Sequence, residues 1–459
     1  MVQLVPVLPL TFVAVLLTLL GMRWYQVRRF GQSGLLAWCQ SLILSLPLII
    51  YTVLLLLGVQ VSLWVLLIGL GVAGIGYILL GNWLRQQPQE LSEVSAVPPP
   101  KPAMSQETLK QLQGIFNIDS FYATSISNYQ DGAIIKGNLR SDPQLAYARL
   151  TASLRHTLGE EYQLFLVEGN DRRPLVIVLP HRPLVPSHLW QRVLAVALLA
   201  MSAIAAYVLG SSIGSGLVVA GGLLLILGVR ELALRWTARQ HGVTLSLPFA
   251  LPSWQLGSFG CVSWFLSAVP SRSALLDLAI APASASGILS LVILAGGLGL
   301  SAMHYGSLEI PSQIFQASAL TGLMAKLFLG DRLHVDFVTI HPLVVLGWAG
   351  LVITALNLLP AGQLDGGRIV QAIYGRRTAS WTTLISLVLL AIASILHPLA
   401  LYWAAIILLL LRNLEPLMLN ELSEPEGDRD AIGIFALFWM LLTLLPLTPA
   451  VGEYLQIGG

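Results

Sequence analysis

The chain has 459 residues, of which 56% are hydrophobic and only 10% charged, with a net charge of +2 and a mean hydropathy of +0.77. Soluble globular proteins carry roughly 25% charged residues, so this composition excludes an ordinary soluble protein, and a charge so near neutral gives no reason to expect nucleic acid as a partner. Two cysteines, Cys39 and Cys261, cannot build a disulfide framework, and neither lies in a CxxC zinc pattern.

A helix needs about 20 apolar residues to cross a bilayer. In chain order the candidate spans are 4–20, 41–57, 61–82, 192–209, 213–230, 274–300, 343–360, 382–396, 399–411 and 432–450. The first lacks a basic leader and a small-residue cleavage site, so it reads as a retained span. The pair 382–396 and 399–411 flanks His397-Pro398 and is either a tight hairpin or one kinked span. The stretch 313–330 reads as an interfacial helix. The expected fold is an all-α polytopic membrane protein of about nine transmembrane helices, with a small α+β soluble domain inserted after the third span.

That insertion begins at a proline-rich linker, Pro98-Pro99-Pro100 and Pro102. Beyond it the pattern predicts a helix near 105–113, strands at Ala133–Lys136, Tyr162–Val167 and Pro174–Leu179, and a helix from Pro143 to Leu158. The expected division is residues 1–84 for the first spans, 85–190 for the soluble domain and 191–459 for the membrane core. No catalytic constellation stands out in 85–190, which reads as a binding or regulatory module. Arginines cluster on one side of the alternating spans: Arg23, Arg28, Arg29, Arg85, Arg192, Arg235 and Arg239, with Arg368, Arg376 and Arg377 in an expected loop at 361–380. By the positive-inside bias, that side and the soluble domain are cytoplasmic.

Ionisable groups at membrane depth are costly and mark function. Two segments carry them. Gly228-Val-Arg-Glu-Leu-Ala-Leu-Arg-Trp236 closes a span with Arg230 beside Glu231, and Asn357-Leu-Leu-Pro-Ala-Gly-Gln-Leu-Asp-Gly-Gly-Arg368 places Asp365 after a Pro- and Gly-rich break. By residue type alone, Arg230, Glu231 and Asp365 fit either an internal ion pair or an ion path of the kind a transporter uses.

The second segment resembles the N-x-x-P-x-x-x-L-D-G-G signature of the site-2 proteases, intramembrane zinc metalloproteases, through Asn357, Pro360, Leu364, Asp365, Gly366 and Gly367. Residues near 114–140, Leu251–Gly260 and His341–Gly350 resemble the cyanobacterial and plastid branch, which includes the plant ethylene-dependent gravitropism-deficient and yellow-green proteins. The resemblance covers roughly 105–420. It implies a zinc held by two histidines of an H-E-x-x-H helix and by the aspartate of the second motif. The glutamate would act as general base for the bound water.

Here the segment corresponding to H-E-x-x-H is Arg230-Glu231-Leu232-Ala233-Leu234. Glu231 stands at the base position and Asp365 at the third ligand position. Leu234 has no donor atom, and Arg230 is a permanent cation that repels a divalent metal. His241, His304, His334, His341 and His397 read as surface or interfacial residues rather than substitute ligands. The expectations are therefore that zinc is lost, that Glu231 is a vestigial base, and that Arg230 pairs with Asp365, with snorkelling of Arg230 to the interface as the alternative. The helix-packing pattern of small residues survives as Ala281-Pro282-Ala283-Ser284-Ala285. The function implied is an inactive homologue that binds single-span membrane substrates or a partner protease, in the plasma or the thylakoid membrane. An active endopeptidase with unusual ligands and an ion-coupled transporter are the alternatives.

Overall fold

The computed structural model describes residues 104–457 apart from 105, 117–118, 130, 170–172, 182–188, 254, 396–397 and 426, together with scattered positions between 43 and 76. The expected spans at 4–20, 41–57 and 61–82 and the proline-rich linker lie largely outside the described residues.

The first described unit is an α/β sandwich. It comprises α1 (Gln106–Gln113), β1 (Phe121–Tyr129), β2 (Gly132–Leu139), α2 (Pro143–Leu158), β3 (Tyr162–Glu168) and β4 (Pro174–Pro180). The strands form one antiparallel sheet in the order β1-β2-β4-β3, so β1 and β3 are its edges. Helix α2 starts where it does because Asp142 caps it. Its carboxylate accepts from the amides of Gln144 (2.9 Å) and Leu145 (3.3 Å), and Pro143 occupies the first turn, where a missing N–H costs nothing. Leu150 and Leu154 of α2 meet Ile135, Leu164, Leu166, Val176 and Val178 of the sheet in one apolar core.

The remainder is helical and built for a bilayer. Among the described residues, three helices are long and apolar enough to cross one: α3 (Leu189–Ser211), α4 (Gly216–Gln240) and α5 (Arg272–Ala302). At 1.5 Å per residue, the 31 residues of α5 extend about 46 Å. Between α4 and α5 lies a hairpin, β5 (Phe249–Ser253) and β6 (Gly257–Val262), which is buried throughout. After α5 come β7 (Leu308–Pro311), a 3₁₀ turn, α6 (Ala319–Leu329), a second 3₁₀ turn and β8 (Phe337–Ile340), with β7 and β8 paired. The 11-residue α6 is too short to span a bilayer and falls within the stretch expected at an interface.

Helix α7 (Pro342–Asn357) packs along α5. The two approach closely because small residues line the seam. A Cβ on Gly350 would collide with Ser290, and the Thr354 hydroxyl donates to the Ser286 hydroxyl at 3.1 Å. Pro282 sits inside α5, and the Ser286 hydroxyl takes up its carbonyl at 2.9 Å.

Helix α8 (Asp365–Ala393) overturns one expectation. Residues 365–380 are not a loop but the first half of this helix, which kinks at Gly375 (φ 82°). Arg272 caps the kink, its Nε donating to the Ala372 carbonyl at 2.6 Å. Next come α9 (Pro398–Ile406), which packs on α8 and ends in a π-helical turn at Ile407–Leu411, then α10 (Gly427–Leu444) and α11 (Pro449–Tyr454). The segments 382–396 and 399–411 therefore form a hairpin rather than one kinked span.

The β5–β6 hairpin is tied to α7 through Asn357. Its Nδ2 donates to the Phe259 and Ile353 carbonyls, both at 2.8 Å, and the Phe259 ring stacks on Trp403 with centroids 4.8 Å apart. Gly260, at φ 110°, leaves room for this contact, since a Cβ there would stand 2.7 Å from Asn357 Nδ2. Gly260→Val is expected to lower the stability of the full-length protein by about 1–3 kcal/mol, read as a lower unfolding midpoint in detergent. An unchanged midpoint would show that this junction does not hold the hairpin in place.

A candidate polar centre in the membrane core

The residues singled out in the sequence meet where α4, β6 and the start of α8 converge. Arg230 lies on the face of α4 that also carries Leu223, Ile226, Leu227, Leu234 and Ala238, all buried. The opposite face exposes Leu225, Leu232 and Trp236. Helical periodicity therefore aims Arg230 into the bundle rather than along the lipid surface. It is 4% exposed, and its Nη2 donates to Asp365 Oδ2 at 2.6 Å; Asp365 is 1% exposed. The pair forms and Arg230 does not snorkel.

Asp365 is the first residue of α8, where the helix's partial positive charge favours a carboxylate. The turn that delivers it is packed backbone to backbone. Cβ atoms on Gly366 and Gly367 would run into the carbonyls of Leu358 and Gly362, so the L-D-G-G sequence is a requirement of close approach. Pro360 lies in this turn, its carbonyl 3.4 Å from the Ser386 hydroxyl, and Leu364 is buried.

Glu231 is not a second acceptor for Arg230. It is held by Arg235, one turn along α4, at 2.7 Å, and by the Ser263 hydroxyl at 3.1 and 3.2 Å. Leu234 lies in an apolar cluster with Ala238, Val269 and Leu275.

Besides Arg235, three residues not foreseen at the centre join it: Arg368, Ser263 and Glu415. Arg368, counted in the sequence with the cytoplasmic loop arginines, is buried. It stands 3.7 Å from Asp365 Oδ1, donates from Nη2 to the Ser263 carbonyl at 3.3 Å and lies over the Phe265 ring at 4.3 Å. Its Nε and Nη2 reach Glu415 Oε1 at 2.8 and 2.7 Å. Position directly after L-D-G-G was a signal for Arg368, because i and i+3 share a helix face. Ser263 and Glu415 reach the centre through long-range folding alone and had no local signal.

The centre thus sets three cations, Arg230, Arg235 and Arg368, against three carboxylates, Glu231, Asp365 and Glu415. Arg230 Nε has no hydrogen-bond partner. The histidines are engaged elsewhere. His241 bonds Asp277 (3.0 Å), His304 bonds Arg332 (3.0 Å), His334 bonds Lys326 (3.0 Å), and His341 caps α7 by accepting from the Leu343 amide (3.3 Å). His397 lies outside the described residues.

A catalytic zinc needs three protein donors and an open position. At the corresponding positions this chain offers one carboxylate already bound to a guanidinium, a leucine and the guanidinium itself. Among the described residues no three His, Cys, Asp or Glu side chains gather so as to hold a metal ion. The residues present do not fit zinc.

Residues 110–186 match a family described as EGY3 middle domain, and residues 218–396 match Peptidase family M50. The chain is similar to the Arabidopsis thaliana protein named "Probable zinc metalloprotease EGY2, chloroplastic", with 32% identity across 79% of this chain and 67% of the relative. Its similarity to the protein of the same name from Oryza sativa subsp. indica is 34%, across 80% of this chain and 70% of the relative. To the A. thaliana "Probable zinc metallopeptidase EGY3, chloroplastic" it is 29%, across 74% and 65%. No solved structure matches. The M50 match takes in both α4, with Arg230 and Glu231, and the turn into α8 with Asp365, and the likeness to EGY2 runs over two thirds of that protein's length: the chain belongs to peptidase family M50, the site-2 proteases, and is a membrane-protein homologue of zinc metalloproteases.

Proposed function

We propose that this chain is a pseudoprotease, a site-2 protease homologue that keeps the fold and has given up the metal. The observation that carries this reading is the 2.6 Å contact between Arg230 and Asp365, both buried, at two of the three metal-ligand positions. A buried guanidinium–carboxylate pair is internally neutral and needs no metal. A Zn²⁺ placed there would meet the full repulsion of Arg230 in a medium of low polarity. Glu231, as a vestigial base held by Arg235 and Ser263, has no metal-bound water to act on.

Its role is binding and regulatory. The partners are membrane proteins, either single-span substrates or a partner protease, recognised within the bilayer and by the soluble domain of residues 85–190. We assign about nine spans, with residues 1–84 contributing the first of them and 191–459 forming the protease-like core. The arginine bias supports a cytoplasmic or stromal soluble domain. The membrane is a plasma or thylakoid membrane, and the plant relatives are named as chloroplastic proteins.

Two measurements test this reading. Elemental analysis of the full-length protein, purified in detergent without chelators, is expected to give far less than one zinc per chain. Stoichiometric zinc that disappears in Asp365→Asn would contradict it. Conversely, Arg230→His combined with Leu234→His rebuilds the donor set of active relatives on a preserved scaffold. The double variant is expected to gain about one zinc per chain, whereas Arg230→His alone is not. A folded double variant that binds no zinc would show that more than the ligands has been lost.

A further inference from the structure

The segment that follows the π-helical turn, residues 412–423, touches both halves of the molecule. At its root the Gln363 amide, in the turn before Asp365, donates to the Leu411 carbonyl at 2.8 Å. Four residues on, Glu415 is 2% exposed; its Oε1 accepts from Arg368 Nε at 2.8 Å and stands 2.7 Å from Arg368 Nη2. The Glu415 amide donates to Gln371 Oε1 at 3.1 Å, and its carbonyl accepts from Arg376 at 2.7 Å.

The chain then runs between the segment that precedes α5 and the α/β unit. The amides of Leu419 and Asn420 donate to the carbonyls of Val269 and Pro270 at 2.9 and 3.0 Å. On its other side the Leu166 amide donates to the Leu419 carbonyl, and the Glu421 amide donates to the Leu166 carbonyl, each at 2.8 Å. Leu166 belongs to β3, an edge strand whose outer groups would otherwise stand unpaired. Asn420 locks this end, its Nδ2 donating to the Pro143 carbonyl at 3.2 Å and its Oδ1 accepting from the amides of Leu422 and Ser423.

We propose that residues 412–423 are a latch that clamps the α/β unit over the polar centre, so that the edge of β3 and the Arg230–Asp365 centre open and close together. Glu415 and Asn420 are five positions apart, at most about 18 Å of fully extended chain, so neither anchor moves far without drawing on the other. Lifting the segment at Glu415 strips Arg368 of its main partner, and Arg368 also flanks Asp365. Lifting it at Asn420 bares β3. Discrete hydrogen bonds at both ends make this a two-position device rather than a graded one. It is independent of whether a metal ever occupies the centre.

Hydrogen exchange on the full chain in lipid nanodiscs tests the latch by cutting one end and reading the other. Asn420→Ala, at the sheet end, is expected to speed exchange about tenfold or more in 361–368 as well as in 162–168, while 121–139 stays slow. Glu415→Ala, at the other end, is expected to do the same in 162–168. If Glu415→Ala does not yield folded protein, Glu415→Gln, which keeps one acceptor for Arg368, is expected to give the same pattern with smaller amplitude. Faster exchange confined to the substituted end would overturn the latch. So would faster exchange across all of 121–180, since the sheet would then be unfolding rather than unclamping.

Discussion

A guanidinium and a carboxylate taken out of water cost several kcal/mol each unless they meet in good geometry with their remaining groups satisfied. The 2.6 Å contact between Arg230 and Asp365 is therefore the constraint around which the core is arranged. Asp365 gains the α8 N-terminus and Arg368 in addition to Arg230, and Arg368 is itself balanced by Glu415. Glu231, adjacent in sequence to Arg230, is drawn off to Arg235 and Ser263. Each charge added to the centre brings an opposite one with it, and the sum is neutral.

The same constraint explains what the fold has kept. The close backbone packing around Gly366 and Gly367 and the Asn357 link to the β5–β6 hairpin fix where α8 begins. In an active relative such a scaffold would present an aspartate to a metal. Here it presents the aspartate to an arginine. With a neutral residue at position 230, Asp365 would keep only the α8 N-terminus and Arg368, at 3.7 Å, as favourable partners. Under the proposed reading, Arg230 supplies at this place the positive charge that a metal would give.

Much of this was legible in the sequence, for reasons that differ from element to element. Helix α2 was legible from Pro143 to Leu158, and the L-D-G-G turn through its own residues. The pairing of Arg230 with Asp365 followed from two charges at positions of one known motif set. Strand β1 was missed because Ser125, Ser127 and Asn128 give it a polar surface without strong alternation. The β5–β6 hairpin was missed because a strand buried on both faces shows no period, and Pro252, Gly257 and Gly260 read as loop. Arg368 was assigned to a loop because charge alone says nothing about burial. Glu415, 47 residues further on, comes to it only through the tertiary path of the hairpin α8–α9.

The account turns on whether Arg230 and Asp365 interact as partners in the folded membrane protein. A double-mutant cycle measures this directly, with Arg230→Met, Asp365→Asn and both together, read as unfolding free energy in the same detergent. A buried pair predicts a coupling energy of about 2 kcal/mol or more, with the double variant far less destabilised than the two single changes added together. Additivity within about 0.5 kcal/mol would mean that the two charges do not compensate one another, and would contradict the claim that arginine has taken the place of the metal.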